Sequence, residues 1–209
     1  MTIWFASGNL HKKQEAAALF PRRNIKLPAE AGLAFDPEET GSSFLENALI
    51  KARTLHRQLA APDKLTLADD SGLCVDALGG RPGIYSARYA GGDGAGLLQG
   101  KKLDAPERNA LLLAELGDKP NRAARFVCAM VLLWDENRFL AAQETLEGEL
   151  VRPGEVRGAG GFGYDPIFYL PDLGVTVAEL SEEEKNRISH RGKAARIIAE
   201  FLEGMWPSA

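Results

Sequence analysis

The stretch from Leu67 to Tyr89, LADDSGLCVDALGGRPGIYSARY, constrains this chain more than any other. An apolar run, Leu65 to Ala68, drops abruptly onto Asp69 and Asp70. Ser71 and Gly72 follow, then a short apolar strand (Leu73, Cys74, Val75) and a turn through Gly79, Gly80, Pro82 and Gly83. Two adjacent carboxylates at the end of a buried strand are costly unless cations neutralise them. Neighbouring strand residues point to opposite faces, so only one of the two can serve a given pocket. Asp, Ser and Gly are also ordinary turn formers. These residues alone therefore leave two readings open, a solvated turn and a divalent-metal or acid/base site.

The rest of the composition narrows the setting. A chain of 209 residues that is 45% hydrophobic can bury the core of one large domain or of two small lobes. Its net charge of −4 announces no basic surface for nucleic acid. No apolar run approaches the roughly 18 residues of a membrane span. The start, MTIWFASGN, lacks a basic leader and a cleavage site. Cys74 and Cys128 sit in apolar runs and read as reduced core residues, and His11, His56 and His190 have no zinc-like spacing. The expectation is a soluble cytoplasmic protein without nucleic-acid or membrane partners.

Four further segments carry chemistry. Thr2 to Ala6 reads as a strand, followed by Ser7, Gly8, Asn9, Leu10, His11 and Lys12 and a helix from Lys13 to Phe20. A strand, a small-residue loop and a helix N-terminus cradle phosphate, because free backbone N–H groups and the helix dipole converge there. Lys12 adds a point charge, although the segment is no Walker A sequence and also suits a plain capped helix. After a weak strand, Asn24 to Ala29, comes DPEET, Asp36 to Thr40, and a helix from Ser43 to Ala60. Ser43 and Glu46 match a capping box; Glu38 and Glu39 lie free before the helix, as a solvated turn or as cation ligands.

Gly158 to Pro166, GAGGFGYDP, sets Phe162, Gly163, Tyr164 and Asp165 among glycines. Such backbone can approach a ligand closely, and either ring could stack on a flat base; a tight hairpin is the plain alternative. The tail opens with Ser181 as a helix cap, and Lys185 to Arg196 then holds five basic residues and one histidine without an acid. Ser189 is expected to cap a last helix, Lys193 to Leu202, leaving His190 and Arg191 near its start. A basic residue there is disfavoured by the dipole unless it has an anionic or electron-rich partner. Between these segments, Gly91 to Gly100 reads as a Gly-rich loop, Ala105 to Leu116 as a helix, and Ala123 to Trp134 with Phe139 to Glu147 as a long hairpin.

Together, a phosphate cradle, an acid cluster, an aromatic Gly-rich loop and a cationic tail point to a nucleoside phosphate. Phosphates beside carboxylates imply Mg²⁺. The segments SGNLHKKQE, ETGSSFLENALIKA, LADDSGLCVDALGGRPGIYSARYAG, GGFGYDPIF and SHRGKA resemble, in order, the signature blocks of the inosine/xanthosine triphosphate pyrophosphatases. The resemblance covers nearly the whole chain. It implies one domain, 1–209, with a mixed α/β fold of two lobes around a long curved sheet, the active site in the cleft between them, and a homodimer. It further implies Mg²⁺-dependent attack of water at the α-phosphorus of ITP, dITP or XTP, giving the nucleoside monophosphate and pyrophosphate. Asp70 matches the general base and a metal ligand, with Asp69 in support; the second metal carboxylate falls on Glu38 or Glu39. Ser7, Gly8, Asn9 and Lys12, with Leu10 and His11 between them, match the triphosphate-binding segment, Ser71 matches a further substrate contact, and Phe162, Gly163, Tyr164, Asp165, Lys185, His190 and Arg191 match base and sugar contacts. His11 stands where many relatives have Gly, and Gly92 to Ala105 is richer in glycine than usual. A nucleotide kinase or transferase and a nucleotide-binding sensor are the competing classes.

Overall fold

A computed structural model of the chain describes residues 1–60, 64–91 and 103–207. Seven strands form one mixed sheet in the order β2-β1-β3-β4-β5-β6-β7. They are β1 (Thr2–Phe5), β2 (Asn24–Lys26), β3 (Leu65–Val75), β4 (Ala123–Asp135), β5 (Arg138–Leu150), β6 (Phe168–Leu170) and β7 (Val175–Thr176). The helices are α1 (Leu10–Leu19), α2 (Phe44–Gln58), α3 (Ala105–Leu116), α4 (Glu182–Ile188) and α5 (His190–Met205). The chain divides into two units, residues 1–70, 128–144 and 190–209 in the first and 71–127 and 145–189 in the second. Among the described residues no helix is long and apolar enough to cross a membrane.

In the first unit β1 pairs in parallel with β2 and β3, with Phe5 opposite Leu67. Parallel strands are covered on both faces, and alternation along β3 shows how. Leu65 and Leu67 join one core cluster with Ala16 of α1 and Phe20 just after it, and with Ala194, Ala195, Ile198 and Leu202 of α5. The intervening Thr66 turns the other way, its hydroxyl 3.3 Å from Nδ1 of His56 on α2. Each fully buried Leu, Ile or Phe in such a layer contributes about 1.5–3 kcal/mol. The Ser43 side chain caps α2 by accepting from the Glu46 N–H, while the Glu46 carboxylate accepts from the backbone and hydroxyl of Ser42 rather than from Ser43. Free Cys128 is wholly buried in this core, and burial pushes its thiol up to about 12.

The second unit has its own core, built on Leu73, Val75, Leu112, Leu116, Phe126, Ile167 and Phe168. The Phe126 and Phe168 rings lie 4.5 Å apart between centroids. Gly148 makes room for Phe168: a Cβ at that position would come within 2.5 Å of its ring. Asp104 and Glu107 form a reciprocal capping box at the start of α3. Arg122 is buried but donates to the carbonyls of Leu150, Val151 and Gly117, so its charge is fully engaged in holding strand ends. Glu115 of α3 accepts from both Arg81 and the Tyr89 hydroxyl.

Several local expectations change. The two aspartates do not end a strand: β3 runs unbroken through Asp69, Asp70, Ser71 and Gly72 to Val75, and both carboxylates are buried. The solvated-turn reading is thereby excluded, because burial on a central strand overrides the turn propensity of these residue types. The strand expected over Asn24 to Ala29 ends at Lys26, and a 3-10 turn over Pro28–Ala31 follows, since Pro28 lacks the N–H a ladder needs. The first helix starts at Leu10 rather than Lys13, and the last at His190 rather than Lys193. The β4–β5 hairpin turns over two residues, Glu136 and Asn137, so its strands reach Asp135 and start at Arg138, and the second extends to Leu150. The Gly-rich segment after Gly91 lies outside the described residues.

Candidate active site

In the first unit the two neighbouring aspartates occupy opposite faces of β3 and serve different partners. Asp69, nearly inaccessible, accepts from Lys12 Nζ at 3.0 and 3.1 Å and from Nε and Nη2 of Arg191, each at 3.1 Å. Arg191 Nη1 donates to Glu15 Oε2 at 2.5 Å. Burial alone would raise the Asp69 carboxyl, but the charges of Lys12, Arg191 and Lys51 overcome it and hold the group well below the usual carboxylate range. The same carboxylates raise the Arg191 guanidinium against its own burial. Asp69 is therefore a permanent anion that fixes Lys12 of α1 and Arg191 of α5 on one face of the sheet.

Asp70 faces α2. Its Oδ1 accepts from Lys51 Nζ at 2.8 Å and its Oδ2 from Asn47 Nδ2 at 3.3 Å. Lys51 is shared: its Nζ also donates to Glu39 Oε1 at 2.9 Å. Burial raises the Asp70 carboxyl, Lys51 opposes this, and nearby Glu39 adds to the rise. Lys51 is raised in turn, because Asp70, Asp69 and Glu39 together outweigh its burial. The two shifts have different first causes, burial for the Asp70 carboxyl and the surrounding carboxylates for the Lys51 ammonium. Three cations (Lys12, Lys51, Arg191) face four carboxylates (Asp69, Asp70, Glu15, Glu39) in this set. Glu39 and Asp70 converge on the same point in space, whereas Glu38 is exposed.

The loop before α1 is open. Ser7 is half-buried, Gly8 and Asn9 are exposed, and nothing lies within 4 Å of where a Gly8 Cβ would stand. The Ser7 hydroxyl accepts from the Asn9 N–H, and Asn9 Oδ1 accepts from the Lys12 N–H at 3.3 Å, capping the helix. Leu10 is 66% exposed. The placement of the His11 side chain lies outside the description. The first-unit residue His190 is buried at the start of α5.

In the second unit the GFGYD segment is organised by Asp165. Its Oδ2 accepts from the Phe162 N–H and from Lys185 Nζ of α4, each at 2.8 Å. Lys185 Nζ also sits 4.3 Å from the centroid of the Phe162 ring, a cation–π contact that orients the ring. Gly161 is required here: its φ is +69°, and a Cβ would stand 2.2 Å from Asp165 Oδ2. Phe162 is 37% exposed, while Tyr164 is core. The Tyr164 hydroxyl donates to the Ser86 carbonyl at 2.9 Å, and burial pushes it up to about 12. Of the two rings considered for stacking, Phe162 is the accessible one. Asn109 of α3 donates to the Gly163 carbonyl at 3.0 Å, fixing the backbone of the segment. Ser71 follows Asp70 on β3 and is half-buried.

Sequence reasoning did not single out Lys51, Asn47 or Glu15. The signal for Lys51 was present: it falls at helical spacing with Phe44, Ala48 and Leu55, on the buried face of α2, where a cation needs an anion. Among the described residues no three His, Cys, Asp or Glu side chains are grouped to hold a metal by themselves. Glu39 and Asp70 do supply two hard oxygen donors at one point, which fits a cation completed by waters and phosphate oxygens.

Comparison with known proteins gives the family. A protein of Treponema denticola named dITP/XTP pyrophosphatase is 50% identical over 204 residues, covering 98% of this chain and 100% of the relative. The Escherichia coli K12 protein of the same name is 43% identical, covering 96% of this chain and 97% of that protein. The solved structure of the Staphylococcus aureus Ham1 protein superposes with a TM-score of 0.82 at 40% identity, over 98% of this chain and 100% of that one. The family model described as Ham1 family matches residues 3–201, essentially from the first strand to the last helix, and the chain belongs to that family.

Proposed function

We propose that this chain hydrolyses the non-canonical purine nucleotides dITP, ITP and XTP to the monophosphate and pyrophosphate, keeping them out of DNA and RNA. The observation that carries the reading is the sharing of Lys51 by Glu39 and Asp70. It places a carboxylate with a raised proton affinity beside a second carboxylate. Glu39 and Asp70 are the residues to hold Mg²⁺, and Glu38 is not. A bound divalent cation supplies charge for the phosphate oxygens and makes nearby water more acidic.

Asp70 is the general base. Its carboxylate is oriented by Lys51 and Asn47 and accepts the proton of the water that attacks the α-phosphorus. The open Ser7–Lys12 segment presents the N-terminus of α1, whose dipole favours phosphate, although the Asn9 and Lys12 N–H groups are taken by Ser7 Oγ and Asn9 Oδ1. Phe162, its ring held by Lys185, stacks on the base. Selection for a 6-oxopurine follows from donors aimed at the oxygen, which adenine leaves unpaired. Arg191 at the start of α5 and Lys185 on α4, both buried cations, together with the buried His190, are the groups assigned to this role. The resemblance adds a cytoplasmic homodimer to the reading.

The test is incubation with dITP, ITP or ATP and Mg²⁺, with pyrophosphate and orthophosphate measured separately. Pyrophosphate from dITP and ITP, with little from ATP, is expected. Orthophosphate alone assigns the protein to another phosphohydrolase class, and absence of release assigns it to binding.

A further inference from the structure

The geometry points to Asn47 as a positioning residue that joins the proposed base to the loop carrying Glu39; the inference rests on the function proposed above. Asn47 is wholly buried on α2, one helical turn before Lys51. Its Oδ1 accepts from the Gly41 N–H at 2.9 Å and its Nδ2 donates to Asp70 Oδ2 at 3.3 Å. The orientation of the amide follows from chemistry. A backbone N–H can only donate, so the side-chain oxygen must face Gly41, and the NH₂ is left for the carboxylate.

Lys51 makes the same pair of connections one turn on, to Asp70 Oδ1 and to Glu39. Two side chains at i and i+4 thus grip both oxygens of Asp70, and each also holds the segment from Glu39 to Gly41. Lys51 does this with a charge, but a cation binding between the carboxylates competes with that ammonium for the same oxygens. Asn47 is neutral and engages the other oxygen of Asp70, so its two bonds persist when the ammonium is displaced. It keeps the Asp70 carboxylate in one rotamer and keeps the Glu39 loop near it. Gly41 completes the joint: a Cβ there would stand 2.7 Å from Asn47 Oδ1 and 2.9 Å from the Asn47 backbone nitrogen, so any larger residue pushes the loop off the amide.

The experiment compares Asn47→Ala and Gly41→Ala with wild type. Folding is read by circular dichroism and a cooperative melt, Mn²⁺ affinity by electron paramagnetic resonance of the free ion, and kcat and KM from pyrophosphate release with dITP. Expected for folded Asn47→Ala is a loss of about 10- to 100-fold in kcat and in Mn²⁺ affinity, the range typical of residues that orient metal ligands, with KM for dITP within about twofold. Gly41→Ala, which leaves every polar side chain in place, is expected to lose Mn²⁺ affinity in the same direction, and the double variant to lose less than the two combined. Folded Asn47→Ala with wild-type kcat and Mn²⁺ affinity overturns the inference, as does a loss confined to KM. If Asn47→Ala does not fold, Gly41→Ala decides on the same readouts. A wild-type protein that releases no pyrophosphate instead overturns the proposed function.

Discussion

Adjacent Asp69 and Asp70 should respond oppositely when each is neutralised in turn. Asp69→Asn leaves the buried Arg191 guanidinium and the Lys12 ammonium facing an uncharged amide. Removing one partner from such a buried charge set costs about 3–5 kcal/mol, which in a chain of this length lowers the melting midpoint by about 6–20 °C. Asp70→Asn removes a carboxylate that the fold disfavours in its charged form, while Lys51 keeps Glu39 and the amide still offers Lys51 an oxygen. Its midpoint is expected to stay within about 4 °C of wild type, on the stabilising side.

The pH dependence has matching signs. Asp69 has a depressed folded value, so its stabilisation is present above the ordinary carboxylate range, near 3.9, and is lost as pH falls below it. Asp70 has a raised folded value, so its penalty is absent at low pH and grows as pH rises through the folded value. Thermal melts in EDTA from pH 3.5 to 8 should show the Asp69→Asn deficit fully developed at pH 8 and shrinking toward the acid end. The Asp70→Asn advantage should likewise be greatest at pH 8. Equal losses for the two variants would refute the division of labour between the faces of β3.

Glu39→Gln is expected to raise the Mg²⁺ concentration needed for half-maximal pyrophosphate release by about tenfold or more, and Glu38→Gln to leave it unchanged; a metal titration at saturating dITP separates them. Gly161→Ala drives a methyl into Asp165 Oδ2 at a φ of +69°, so it should loosen the bond to Phe162 N–H and raise KM for dITP several-fold. Its midpoint should fall by about 2–4 °C per kcal/mol of strain, and steady-state kinetics beside a melt check both effects.

The sheet-and-helix order was readable because most elements announce themselves locally. Ser43 and Ser181 are oxygen caps followed three residues on by an acid, and the α3 leucines repeat with helical spacing. The failures share a cause. Asp69, Asp70, Ser71 and Gly72 favour a turn by residue type, yet β3, which lies between β1 and β4 in the sheet, runs on through them, with cations from three helices on its two acids. Those cations lie 57 and 122 residues from Asp69 and 19 from Asp70 along the chain, beyond any window of periodicity. That Lys51 reaches Glu39 while Glu38 stays exposed was equally invisible, since the spacing of α2 does not tell which glutamate of the preceding loop it meets. Asn47 looked like an ordinary polar residue inside a helix, because its role depends on the loop that folds back to it.

The alternation of β3 also has a meaning for how this chain tolerates length changes. Leu65 and Leu67 precede Asp69 on one face and Thr66 precedes Asp70 on the other, with Leu67 set opposite Phe5 of β1. A deletion or insertion that slid β3 by one residue would turn each acid to the other face: in one direction Asp69 would lie beneath Lys51 with Ala68 beside Arg191, in the other Asp70 would lie beside Arg191 with Ser71 beneath Lys51, and each leucine would be turned toward α2. The hydrophobic residues of the strand therefore act as a ruler for the acids at its far end. Indels in the connection ahead of β3 are tolerable only where they leave that ruler in place, so the fidelity of two charged residues is guarded by the greasiness of their neighbours.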